Sequence, residues 1–299
     1  MKTTRRNFLQ FGLFLTSDFF LGENKVFASQ EKLEQKLKIN LPDYSLNLMN
    51  FVDGKLKETF SFPVGIGKGY DGRKQTPIGT GFIDEKRKTV VFRYGKDNPE
   101  LNIHKGDIIK WTNTYDDDDN PTGYKMPYSQ MRGLGMQIRT NFSNYYYNDF
   151  VIHSTTDEFT IGTPASGGCL RVGIKEMLRL YDLVSPETKQ GTLENPIPIK
   201  TSYDLVELNN EKVKLHANIY NKKIDPVQEL KKKITNKFNP EDFDFNKIQQ
   251  EFTSANEQFI IAHKQILTLL SKSFPNNFVP SSLKEKLHKT YDISSFLRG

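Results

Sequence analysis

Hydrophobic and polar positions alternate along most of the first 220 residues, then give way to a helical period. The runs YSLNLMNFV (44–52) and LKETFSFPV (56–64) flank Asp53-Gly54, a dipeptide suited to the positive-φ positions of a two-residue hairpin turn. Further strand-like runs occur at Lys88–Tyr94, Asp107–Thr112, Met136–Arg139 and Phe150–His153, separated by Gly, Pro and Asn clusters. The stretch Ile174–Tyr181 places apolar residues at i, i+3, i+4 and i+7 and predicts one short helix. Strands resume at Ile197–Thr201 and, around Asn209-Asn210, at Asp204–Leu208 and Lys212–Tyr220. From about Asp225 the apolar positions Ile248, Phe252, Phe259, Ile266 and Leu270 follow a helical spacing between Lys-rich faces. Helices are expected over Pro226–Phe238, Pro240–Ser273 and Ser281–Tyr291.

The expected organisation is mainly β with a C-terminal α-helical region. Residues 29–41 (SQEKLEQKLKINL) are polar with helical spacing and read as a leader. Residues 42–222 form a mostly antiparallel β domain. Residues 223–299 form a helical extension that packs on it or binds a partner protein.

Composition narrows the class. With 36% hydrophobic and 26% charged residues over 299 positions, the chain has the balance of a folded soluble protein, not of a collagen-like, disordered or multi-span membrane chain. The formal charge of +6 is spread without a basic block, which argues against nucleic acid as a partner and suits an anionic polymer such as a cell-wall glycan. The N-terminus changes the picture more. Lys2, Arg5 and Arg6 precede an apolar stretch from Phe8 to Leu21 and a small-residue cleavage site at Val26-Phe27-Ala28, which together read as an export signal over residues 1–28. Thr4–Gln10 resembles a twin-arginine signal. The apolar stretch is too short, and too interrupted by Gln10 and Asp18, to leave a stable membrane span. The expected location is the periplasm or cell wall.

Candidate chemistry centres on Val151-Ile152-His153-Ser154-Thr155 and Ile161-Gly162-Thr163-Pro164-Ala165-Ser166-Gly167-Gly168-Cys169-Leu170-Arg171. Cys169 is the only cysteine, so it forms no internal disulfide. It is either an inert core thiol or a nucleophile, and export to an oxidising compartment makes an idle exposed thiol costly. A thiol attacks as thiolate, and His153, ending a strand, is a candidate to take its proton. Read blandly, it is a strand histidine. Gly167 and Gly168 allow close backbone approach, and their N–H groups with that of Cys169 are candidates to hold an oxyanion. Arg171 supplies a fixed positive charge for a carboxylate, or a surface ion pair. His104, His216, His263 and His288 show no metal-ligand spacing and read as structural or surface residues. No metal or organic cofactor is expected.

This run resembles the active-site signature of the L,D-transpeptidase (YkuD-type) catalytic domain, in which a His is followed about a dozen residues later by Ser/Thr-His-Gly-Cys-apolar-Arg/Asn. Pro63-Val64-Gly65-Ile66-Gly67 with Thr76-Pro77-Ile78-Gly79 resembles the family's upstream stretch. Lys125–Tyr128 is similar to the segment ahead of its catalytic strand, and Gly191-Thr192 with Ile197-Pro198-Ile199 to the strand after its helix. The resemblance spans roughly residues 42–220 and implies a β-sandwich with a short helix after the cysteine. It implies Cys169 as nucleophile, His153 as proton acceptor, Ser166 as a hydrogen-bonding support and Arg171 as a contact to substrate or loop. The implied substrate is a peptidoglycan stem peptide, whose acyl group passes through a Cys thioester to an amine. Gly167 departs from the family's commoner His. Two other readings stay open: water as acceptor, giving an L,D-carboxypeptidase, and a non-catalytic wall-binding scaffold in which Gly167 marks a decayed site.

Overall fold

The hairpin read at Asp53-Gly54 forms, with Asp53 at φ 49° and Gly54 at φ 74°, the left-handed pair a tight hairpin needs. The computed structural model describes residues 33–69, 74–88, 104, 111–115, 121–127, 131–140, 146–155, 157–186, 188, 190–209, 211–272 and 279–298, with backbone alone for 111–115, 121–127 and 146–149. The expected export signal and nearly all of the Lys88–Tyr94 run lie outside the described residues.

In chain order the strands begin with β1 (Leu33–Asn40), β2 (Ser45–Val52), β3 (Lys55–Pro63), β4 (Ile66–Gly67), β5 (Gly79–Arg87), β6 (Trp111–Tyr115) and β7 (Pro121–Pro127). There follow β8 (Gly133–Thr140), β9 (Tyr146–Thr155), β10 (Pro164–Ser166), β11 (Leu170–Gly173) and the helix α1 (Ile174–Leu183). The chain continues through β12 (Thr192–Ser202), β13 (Val206–Asn209), β14 (Lys212–His216), α2 (Pro226–Thr235), α3 (Phe245–Leu270), α4 (Ser281–Glu285) and β15 (His288–Asp292).

Eight strands make the main sheet, in the order β11-β9-β8-β5-β12-β1-β2-β3. Its neighbours are antiparallel except β1–β12 and β11–β9, which run parallel. The sheet curls: Gly65, just past the edge strand β3, exchanges both backbone hydrogen bonds with Arg171 on the opposite edge strand β11, each 2.8 Å. The inward alternation is clear in β1 and β2, where Leu37, Ile39, Leu46 and Leu48 are fully buried.

Two expectations are corrected, and one strand was not expected. Residues 33–40 of the supposed leader are an inner strand, because Leu37, Ile39 and Leu41 follow a period of two that the intervening lysines disguise. The strand β5 was not legible. Its Gly79 and Gly81 lie so close to β8 that an added Cβ would stand 2.1 Å from the Arg139 carbonyl oxygen and 1.7 Å from that of Gln137, so the alternation carries no side chains there. The last expected helix stops at Glu285, and His288–Asp292 instead pairs with β14, the open edge of the β13–β14 hairpin.

The helical region is otherwise as read. Asp225 caps α2 by accepting from the Val227 and Gln228 N–H groups, with Pro226 in the first turn, and Asp244 caps α3 through Asn246 and Lys247. The face of α3 formed by Ile248, Phe252, Ala255, Phe259, Ala262 and Ile266 is buried in the same hydrophobic core as Leu205, Val213 and Leu215. These helices complete the core. A chain ending at residue 224 is therefore expected to be insoluble or unfolded, as read by soluble yield and circular dichroism; a cooperative melt for that chain would contradict this packing.

Candidate active site

The site sits where β9 and β11 run side by side, with Ile152 opposite Leu170 and His153 opposite Arg171. Ile152 and Leu170 are fully buried on the core face. The strand alternation then puts His153 and Arg171 on the other face. Cys169, half-buried, lies in the turn immediately before β11, two residues ahead of Arg171.

His153 is 6% exposed, and its Nδ1 lies 2.8 Å from the Ser154 carbonyl oxygen. A carbonyl only accepts, so Nδ1 carries the proton and Nε2 keeps its lone pair. Burial, with the Arg171 charge adding to it, pulls the imidazole down to about 4, so it is neutral at pH 7. A neutral ring with a fixed tautomer is ready to accept a proton.

The turn that presents the cysteine is stapled by Ser166. Its Oγ accepts from the Gly168 N–H at 3.0 Å and donates to the Cys169 carbonyl oxygen at 2.5 Å. The Gly168 amide is thus engaged internally, which weighs against the oxyanion role expected of it. Thr76 holds the turn from beneath, donating to the Gly168 carbonyl oxygen at 2.8 Å and accepting from the Gly67 N–H at 3.0 Å. Tyr220 in turn donates to the Gly67 carbonyl oxygen at 2.9 Å and accepts from the Thr76 N–H at 3.2 Å. Burial pushes the Tyr220 hydroxyl up to about 12, so it remains a donor. Thr76 stood in the sequence as part of a Thr-Pro-x-Gly piece. Tyr220 carried no signal, being 144 residues away from its partner.

The two glycines differ. Gly168 has φ +128°, and an added Cβ would stand 2.5 Å from a Phe150 ring carbon. Gly167 is exposed, and an added Cβ there meets nothing within 4 Å. Gly168→Ala is expected to cost roughly 2–3 kcal/mol, whereas Gly167→His, restoring the commoner family residue, stays within about 0.5 kcal/mol of the parent. Chemical denaturation of the two variants checks this, and equal losses would contradict it.

Arg171 is about a quarter exposed; its Nη1 lies 3.2 Å from Thr160 Oγ1 and 3.8 Å from Asp157 Oδ2. Burial, then the Arg171 and Lys74 charges, lower Lys68, whose amide donates to the Ser166 carbonyl oxygen at 3.0 Å. Positive charge therefore gathers beside the cysteine turn.

The described residues define a class: a mainly β protein whose curled sheet carries a histidine on one strand and a cysteine in the turn that leads into the neighbouring strand. The family follows from comparison. Residues 34–199 match the family model of the YkuD L,D-transpeptidase catalytic domain, more than half of the chain, and the chain belongs to that family. No curated protein matches it. Among solved structures it is similar to an L,D-transpeptidase from Mycobacterium smegmatis (19% identity, 57% of this chain and 59% of that chain, TM-score 0.31). It is also similar to L,D-transpeptidase 1 of Mycobacterium tuberculosis (18%, 56% and 62%, 0.27) and to Bd1075 of Bdellovibrio bacteriovorus (17%, 56% and 47%, 0.34). The chain spans less than two thirds of the length of each of these proteins.

Proposed function

We propose that this protein is an exported, cysteine-dependent L,D-transpeptidase of peptidoglycan, acting in the periplasm or cell wall. What supports the reading is the register of β9 and β11, which sets the buried His153, its Nδ1 proton committed to the Ser154 carbonyl, beside Arg171, two residues after the half-buried Cys169. Membership of the family supplies the substrate class. Among the described residues no helix is long and apolar enough to cross a membrane.

In this reading the Cys169 thiol gives its proton to His153, and Sγ attacks the carbonyl carbon of the third stem residue. The C–N bond to the terminal D-alanine breaks, the leaving amine takes the proton from His153, and a thioester remains. An acceptor amine from a neighbouring stem or a protein lysine then attacks that carbonyl. The C–S bond breaks, an amide forms, and the proton shed by the amine returns through His153 to sulfur. The amides of Gly167 and Cys169 are the groups to meet the oxyanion. Arg171 and Lys68 supply charge for the carboxylates of the stem.

Incubation of the protein with purified disaccharide-tetrapeptide, followed by product analysis, tests the reaction. The expected product is a dimer cross-linked through third residues. Tripeptide alone would replace the amine by water as acceptor, and the absence of any product would overturn the enzyme reading.

A further inference from the structure

Far along the chain from Cys169, three residues with no regular sequence spacing converge. Asp43 lies in the β1–β2 turn, His216 ends β14, and His288 opens β15, directly opposite His216 in the strand register. Each offers one ligand atom, and these atoms all lie within 4.8 Å of one another. His216 Nδ1 is 3.0 Å from His288 Nδ1 and 3.6 Å from Asp43 Oδ1. Ligands about 2.0–2.1 Å from a tetrahedral ion are roughly 3.3 Å apart, so both separations fall near the edge of such a polyhedron.

We propose that Asp43, His216 and His288 bind one divalent transition-metal ion of the zinc type, which ties the C-terminal strand to the main sheet. Two imidazoles and a carboxylate are the donor set such an ion prefers over calcium or magnesium. Two Nδ1 lone pairs cannot face each other at 3.0 Å without a proton or a cation between them, and a metal ion takes the place of the shared proton.

The second ring nitrogen of His216 is an independent indication. The His216 side chain is fully buried, and its Nε2 has no hydrogen-bond partner. The Glu207 carboxylate Oε1 lies 3.8 Å from it, and a carboxylate there commonly steadies the outer N–H of a metal-bound imidazole. Two cations oppose the ion: Lys233, whose charge reaches His216 but which pairs with Glu229 at 3.1 Å, and Lys214, whose ammonium pairs with Asp43 Oδ1. Its side chain is 37% exposed and can turn to solvent when the ion enters.

Isothermal titration of the full chain with zinc chloride tests the proposal. One equivalent is expected to bind. His288→Gln and Asp43→Asn, both at partly exposed positions, should each weaken binding at least tenfold, and Lys214→Gln should tighten it. His263→Gln, outside the cluster, should leave it unchanged. Zinc should raise the melting temperature of the parent and not that of His288→Gln. The His216 side chain is fully buried, so the decision rests on the variants at the partly exposed positions. Absence of stoichiometric binding would overturn the proposal. So would zinc binding that survives His288→Gln but is lost in Cys169→Ala, which would place the ion at the active site.

Discussion

Replacing Cys169 by alanine is expected to reduce cross-linking at least about 10³-fold, because in the proposed mechanism the acyl intermediate forms on its sulfur. Stability should change by less than about 1 kcal/mol, since the thiol is half-buried and its turn is held by Ser166 and Thr76 and not by sulfur. Product analysis and a denaturation curve on the same preparation check both halves. A variant that loses several kcal/mol would return Cys169 to the core-thiol reading. His153→Gln should also lose turnover, but with a stability change of its own, because that ring is buried.

Folding stability is expected to fall steeply between about pH 6.5 and pH 4. His153 stays neutral in the folded protein down to about 4, while in the unfolded chain it titrates near 6.5. Between those values the unfolded state binds more protons, so stability rises with pH. The contribution is complete above about 6.5 and is lost as pH falls toward 4, amounting to about 3 kcal/mol for His153 alone. His288, pulled down to about 4, and His216, to about 3, have the same sign, both mainly through burial. Asp157 and Glu229, raised by burial, act in the opposite direction with smaller shifts. Against a total of roughly 5–15 kcal/mol, losses on this scale bring the acid midpoint into the pH 4–5 range. Urea denaturation at half-unit steps of pH checks this. A midpoint that is flat across the window would contradict the burial of these histidines. The same low value predicts that the imidazole still accepts a proton at pH 5, so turnover should persist there.

What the sequence revealed and what it hid follow from the range of the interactions. The Asp53-Gly54 hairpin, the amphipathic α1 and the capped helices α2 and α3 are local, and each is written in a few adjacent residues. The stretch Ser166–Arg171 was legible for the same reason, since turn, thiol and following strand are contiguous. The strand β5 was not, because close approach to β8 replaces side chains with glycine. Nor was β15, whose strand conformation depends on pairing with β14 more than 70 residues earlier. Tyr220 and the Asp43–His216–His288 cluster share that cause. Their meaning lies in contacts across 72 residues or more, which no spacing rule can anticipate.

In the proposed mechanism Cys169 carries the acyl group, and intact-protein mass spectrometry of the parent and of Cys169→Ala, each incubated with disaccharide-tetrapeptide, detects that species itself. An adduct of the substrate's mass less that of D-alanine is expected on the parent, mapped by peptide digestion to Cys169, and none on the variant. An adduct elsewhere, or turnover by Cys169→Ala, would contradict it.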